Sequence, residues 1–197
     1  MNYIKIKRLN KLYFSYRDIA REFGLSLGSS RVAASRLVKS GEIIRIKRNF
    51  YVLSQKWNYL SIDERFILAN LLQVPSYVSL MSALSYYEVT TQVQPNFIES
   101  VGYNRTKFIE VKENSFNFSK INRKLYFGFA KVKGFFIASP EKAFLDALYL
   151  KSLKKYNFDI TSIDFRKLNI QQIRLIAEKY PLKTREALLK DGYIKKA

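Results

Sequence analysis

A lone glycine between two capped helical patterns constrains this chain more than any other feature. Ser15 followed by Asp18 has the spacing of a capping box, in which each residue satisfies a backbone N–H left free by the first helical turn. Tyr16, Ile19, Ala20 and Phe23 then fall at i, i+3, i+4 and i+7, one apolar face. Gly24 ends the helix, because glycine turns left-handed without strain. Leu25-Ser26 makes a short turn, and Ser26 can cap a second helix, Gly28 to Lys39, that stops at Ser40-Gly41. Two helices joined by a three-residue glycine-containing turn predict a helix-turn-helix.

Projected at about 100° per residue, the second helix has two unlike sides. Ser30, Ala33, Ala34, Leu37 and Val38 form one, small enough for close packing on the first helix. Ser29, Val32, Ser35, Arg36 and Lys39 form the other, with Arg31 at the border. Hydroxyls, cations and one apolar residue suit the major groove. Arginine takes guanine bidentately, serine bonds base edges or phosphate, and valine meets a thymine methyl. The competing reading is a solvated face with a stray valine.

Glu42–Ile46 and Phe50–Leu53 flank Lys47-Arg48-Asn49, two β-rich runs around a polar turn. A hairpin directly after a recognition helix is a wing. Its tip, Lys47 and Arg48, either reaches phosphate or the minor groove, or carries charge only to block edge pairing.

Composition agrees with this direction. The chain has 35 Lys+Arg against 16 Asp+Glu, a formal +19, so either it attracts polyanions or it comes from a lysine-rich proteome. At 48% hydrophobic it can bury a core. It contains no cysteine and no histidine, which excludes disulfides, thiol nucleophiles and histidine bases. The start, MNYIKIKRLNK, has no apolar h-region, and no apolar run approaches the roughly 20 residues of a membrane helix. A cytoplasmic protein without a signal peptide, membrane span or cofactor is expected.

Beyond Trp57-Asn58-Tyr59-Leu60, a capping box at Ser61-Ile62-Asp63-Glu64 opens a helix through Leu72, and Ser79 to Tyr87 reads as a short apolar helix. Strands follow over Asn96–Ser100, Lys107–Val111, Ser115–Phe118, Leu125–Val132 and Phe135–Ala138. Ser139-Pro140-Glu141 starts a helix to about Leu153. Asn169 and Gln172 cap another, and Thr184–Lys190 forms a last one ended by Asp191-Gly192. The expected fold is α+β, a winged helix-turn-helix over 1–56 and a larger α+β domain over 57–197. In the latter, a mostly antiparallel sheet is flanked by helices.

No catalytic set is visible. Glu141 and Asp146 point about 140° apart on their helix. Lys142 and Asp146 are expected to form a surface ion pair worth a few tenths of a kcal/mol. The alternative of a nucleic-acid-processing enzyme would need carboxylate–metal chemistry from residues such as Glu88, Glu99, Glu110 or Glu113. Aromatic and basic residues interleave in Tyr103–Lys107 and Lys124–Lys133, which is either ordinary strand core or a surface for single-stranded RNA. Arg174, Lys179, Lys183, Arg185, Lys190, Lys195 and Lys196 make the terminal helices basic, for a nucleic acid, an acidic protein or solvent.

The winged-helix pattern is followed by Pro75-Ser76-Tyr77-Val78-Ser79-Leu80-Met81-Ser82-Ala83-Leu84-Ser85-Tyr86-Tyr87. Later comes Ile137-Ala138-Ser139-Pro140-Glu141-Lys142-Ala143-Phe144-Leu145-Asp146. In this order the segments resemble the AbiEi antitoxins over nearly the whole chain. Where that family commonly has glycine before the tyrosine strand, this chain has Asn49-Phe50, and asparagine tolerates the same left-handed turn. The resemblance implies a non-enzymatic, bifunctional protein of a phage-defence system. Its N-terminal domain would bind inverted repeats in duplex DNA and repress its own toxin–antitoxin operon. Its C-terminal domain, with Arg174, Lys179, Lys183, Arg185 and Lys190 as candidates, would neutralise a nucleotidyltransferase-type toxin without a stable complex. A monomer that assembles on DNA is expected, since no coiled-coil seam is present.

Overall fold

The structure, a computed structural model, describes residues 6, 8, 9, 11–92 and 95–190, with the side chain of Lys190 excepted. Residues 1–5, 7 and 10 of the charged start, the Asp191-Gly192 stop, Lys195 and Lys196 lie outside the described residues. The chain forms two compact units that divide between Glu64 and Arg65.

In the first unit, helix α1 (Tyr16–Phe23) begins at Ser15 with both arms of the capping box formed. Gly24 closes it at φ 64°, in the left-handed region. Helix α2 (Leu27–Lys39) follows, capped by the Ser26 hydroxyl. Strands β1 (Ile43–Lys47) and β2 (Phe50–Leu53) pair antiparallel, and Phe14 bridges to Tyr51 as a single extra rung. A one-turn helix, α3 (Ser54–Trp57), comes next. Ile6, Phe14, Ile19, Ala34, Leu37, Ile43 and Tyr51 pack into one core. Each large aliphatic side chain buried there contributes about 1.5–3 kcal/mol.

The second unit is built on a six-stranded sheet. Helix α4 (Ile62–Leu72), strand β3 (Tyr77–Val78) and helix α5 (Leu80–Tyr86) lead into β4 (Phe97–Gly102), β5 (Lys107–Val111), β6 (Asn114–Lys120), β7 (Phe129–Val132) and β8 (Phe135–Ala138). The spatial order is β5-β6-β4-β3-β8-β7. The sheet is mixed rather than mostly antiparallel, because β4 pairs with β6 and β3 with β8 in parallel. Both departures have one cause. Each hairpin, β5–β6 and β7–β8, docks its second arm inward and leaves its first arm at the sheet edge. The inner arm then runs in the direction of its new neighbour. Alternating hydrophobicity locates a hairpin but does not say which arm faces inward.

Other elements shift by a few residues. The expected strand Leu125–Val132 begins as a 3-10 turn over Arg123–Leu125, and only Phe129–Val132 is extended. Gly128, at φ 72°, separates the two parts. Helix α6 (Pro140–Ser152) contacts α5, β8, α7 (Ile170–Ala177) and α8 (Leu182–Lys190). Every α6 residue from Lys142 to Leu150 is buried. A helix buried over so long a run, its charged Lys142 and Asp146 included, lies at the centre of its unit.

Candidate nucleic-acid interface

Helix α2 has the two-sided character its sequence predicts. Ser30, Ala33, Ala34 and Leu37 are buried, whereas Ser29, Arg31, Val32, Ser35, Arg36 and Lys39 are exposed. Val32 is 53% exposed, a large apolar side chain presented to solvent amid polar neighbours. Val38, expected on the packing side, is 36% exposed instead. Ala34 and Leu37 are already 0% and 2% exposed, so the contact with α1 is filled without it. The exposed polar groups are partly engaged. Ser29 Oγ accepts from Ser26 Oγ at 3.0 Å, and Ser35 Oγ donates to the Arg31 carbonyl at 3.1 Å. Each hydroxyl oxygen keeps acceptor capacity for a ligand.

Arg31 is fixed in a way the sequence did not announce. Its guanidinium lies 4.8 Å from the centre of the Tyr16 ring, and Nη2 donates to Tyr16 Oη at 3.4 Å. That hydrogen bond lowers the Tyr16 hydroxyl below its ordinary pKa; desolvation opposes it, and the positive charges of Arg31 and Arg17 add to the fall. The two residues are fifteen apart on successive helices, so only the helix-turn-helix brings them together.

The wing is joined to the first helix at its tip. Asn49 adopts φ 63°, the left-handed conformation expected of it, and its Oδ1 accepts from Tyr16 N–H at 2.9 Å. One asparagine thus makes the hairpin turn and satisfies a free N–H at the start of α1. Lys47, Arg48 and Arg45 are exposed on the hairpin, with Lys47 Nζ 5.3 Å from the Phe50 ring. Arg45 is a further exposed cation that pattern reasoning passed over, although its outward place follows from strand alternation between Ile44 and Ile46.

In the second unit the two segments quoted for the family resemblance meet at one buried polar cluster. Asp146 Oδ2 accepts from Tyr77 Oη and from Ser79 Oγ, each at 2.9 Å. Asp146 Oδ1 accepts from Lys142 Nζ and from Tyr180 Oη, the latter at 2.8 Å. The Lys142–Asp146 pair is therefore not a surface pair: both side chains are 0% exposed. The i,i+4 spacing is correct, but α6 is enclosed on every side, so the ion pair goes inside with it. Burial lowers the Lys142 pKa while Asp146 opposes that fall, and burial raises the Tyr77 and Tyr180 hydroxyls well above their ordinary value. The Tyr180 hydroxyl, placed between α7 and α8, joins the C-terminal helices to the ion pair.

The carboxylates considered for metal chemistry are scattered. Glu110 and Glu113 sit exposed on the β5–β6 hairpin, and Glu88 pairs with Lys167. Glu99 is buried on β4 and accepts from Met81 N–H and Tyr156 Oη. Among the described residues, no three of His, Cys, Asp or Glu gather as a metal-holding group. Arg174, Lys179, Lys183 and Arg185 are exposed on or between α7 and α8, and Lys179 Nζ lies 4.5 Å from the Phe127 ring. Lys190 ends α8. No described helix is long and apolar enough to cross a membrane.

Residues 6–54 match the family model of transcriptional regulators described as AbiEi antitoxins. The matched span takes in α1, α2 and both wing strands. No curated protein matches the chain.

Proposed function

We propose, from the match of residues 6–54 to the family model of AbiEi antitoxin transcriptional regulators, that this chain binds duplex DNA through α2 and the wing and represses its own toxin–antitoxin operon. The observation that carries this reading is the exposed face of α2, where Val32, Arg36 and Lys39 stand in solvent beside the fixed Arg31. Ser29 and Ser35 add hydroxyls to that face, and Arg45, Lys47 and Arg48 extend the cationic surface onto the wing. Arginine and serine read base edges, Val32 discriminates thymine, and the wing cations hold phosphate. The protein acts in the cytoplasm, without catalysis, as a monomer that pairs on inverted repeats. Its second unit neutralises a nucleotidyltransferase-type toxin, with Arg174, Lys179, Lys183, Arg185 and Lys190 as the candidate residues.

The test is a titration of the full chain against the DNA upstream of its own gene and against scrambled DNA, at about 150 mM salt. A preference of roughly a thousandfold for the native DNA is expected. Equal, salt-sensitive binding to both would reduce the winged helix to a non-specific anchor.

A further inference from the structure

We propose that the β7 edge of the six-stranded sheet carries a second nucleic-acid site, an aromatic platform that stacks the bases of a single strand. Four rings run in contact across it. Tyr103 and Tyr126 are 4.8 Å apart by centroid, Tyr126 and Phe129 4.9 Å, and Phe129 and Phe136 6.0 Å, with 89°, 59° and 89° between planes, so each ring offers its own face or edge rather than one flat surface. They come from three places in the sequence: the end of β4, the turn before β7, and the β7–β8 hairpin. The first three are half-buried and Phe136 is 41% exposed.

The platform is held from within. The Tyr77 ring stacks on Phe129 at 4.4 Å with 18° between planes, and the Tyr77 hydroxyl is tied to Asp146 in the buried cluster. Rings that cannot turn away lose little freedom when a base settles on them, which favours binding.

Cations border the rings. Arg123 places its guanidinium 5.2 Å from the Tyr103 ring centre. Lys131 is exposed and lies directly across the hairpin from Phe136 in register, so the two side chains share one face. Between Glu113 and Glu141 the sequence contains no acidic residue at all, while it contains Lys120, Arg123, Lys124, Lys131 and Lys133. Stacking surfaces serve any base, and a surrounding positive field holds the phosphates. A duplex hides its base faces, so the rings select single strands. Phe136, exposed beside an aligned lysine, is the part of the row open to a ligand.

This site does not rest on the reading of the winged helix, and its test separates the two. The full chain is titrated by fluorescence polarisation with a labelled oligouridylate and an oligothymidylate of roughly 15 nucleotides, and with a duplex of the same length. Both single strands are expected to bind, and a difference between them reports contact with the 2′-hydroxyl. Phe136→Leu keeps an apolar side chain but removes the ring, and should weaken single-strand binding by about tenfold or more. Phe136→Trp should restore it. Arg123→Ala should weaken it and reduce the salt slope by about one. The double variant Arg36→Ala, Lys39→Ala should lose duplex binding and keep single-strand binding. The proposal is overturned if Phe136→Leu and Phe136→Trp both bind like the parent protein. It is equally overturned if the Arg36→Ala, Lys39→Ala variant binds duplex as tightly as single strand. Absence of single-strand binding also overturns it, and an acidic protein surface then becomes the occupant to seek.

Discussion

Helices α2 and α6 are each thirteen residues long, and each begins at a serine whose hydroxyl accepts from the backbone N–H three residues on. Their caps have nearly the same conformation, φ −62° and ψ 159° at Ser26 against φ −63° and ψ 159° at Ser139. Local sequence therefore specifies both in the same way. Their charges meet opposite fates. Arg36 and Lys39 stand in solvent, whereas Lys142 is enclosed with its aspartate. The difference lies in the surroundings: α2 packs through one face on a small unit, and α6 is enclosed by α5, α7, α8 and β8. A cation on a helix has meaning only once the layers around it are known. In the first unit Arg36 and Lys39 are exposed to a ligand; in the second, Lys142 holds the interior together.

The largest expected effect breaks the interior. Asp146→Ala leaves the Lys142 ammonium among the rings of Tyr77, Phe127 and Tyr180 with no counter-charge. Removing one partner of a buried pair costs about 3–5 kcal/mol, so the midpoint of urea unfolding should fall sharply. Replacing both partners, Lys142→Met with Asp146→Leu, removes the bare charge and should recover part of the loss. It will not recover all, because three hydroxyls lose their acceptor. A stable Asp146→Ala protein would mean that water reaches the cluster.

On the exposed side, Arg36→Ala should leave unfolding nearly unchanged, within about 0.5 kcal/mol. It should cost about 1–3 kcal/mol in binding to the preferred DNA and relax base preference at one position. Lys39→Ala should weaken all sequences alike and reduce the salt slope by about one. If Arg36→Ala changed only the salt slope, α2 would be a phosphate clamp rather than a reader of bases.

Two carboxylates sharpen the contrast through pH. Asp18 is 18% exposed, and burial tends to raise its pKa, but hydrogen bonds from Lys11 and Ser15 outweigh that and hold it down to about 2. Its contribution is present above the unfolded value and is lost as pH falls toward 2. Glu99 is pushed up to about 7 by burial, against hydrogen bonds from Tyr156, Met81 and Ser82 that favour its charged form. Its folded pKa exceeds its unfolded one, so it stabilises less and less as pH rises from about 4.5 to 7. Glu99→Gln, which has no carboxyl to ionise, should remove that decline. The gain near pH 8 should be on the order of 2 kcal/mol in denaturant titrations at several pH values. A decline that persists in Glu99→Gln would assign it to another group.

The first unit was legible because its signals are local. The Ser15–Asp18 box, the Gly24 stop, the Ser26 cap and the Asn49 turn each fall within a few residues of the element they shape. The second unit was legible as elements and not as an arrangement. Which hairpin arm faces inward, and whether Lys142 is inside or outside, depends on contacts between Tyr77, Asp146 and Tyr180. These residues lie far apart in the chain, and no periodicity carries that information. The two-residue strand β3 escaped for the same reason, since its place is set by β4 and β8. The interleaved rings of Tyr103–Lys107 and Lys124–Lys133 were visible as a pattern, but only the fold joins Tyr103 to Tyr126.

Tyr16 carries the smallest effect and the finest question. Tyr16→Phe keeps the ring under Arg31 and removes only the hydroxyl that accepts from Nη2. The bond is long at 3.4 Å and lies between exposed partners, so its loss should have a small effect. Stability should barely change, because the hydroxyl is exposed with its partner. Any loss must then appear in DNA affinity, through an Arg31 that is less ordered before it binds. Tyr16→Ala removes the ring as well and should weaken binding further, toward the value for Arg31→Ala. Comparing the three by titration against the preferred DNA separates the hydrogen bond, the ring and the arginine itself. If Arg31→Ala binds like the parent protein, the contact with Tyr16 is a helix-packing feature and the readable surface begins at Val32.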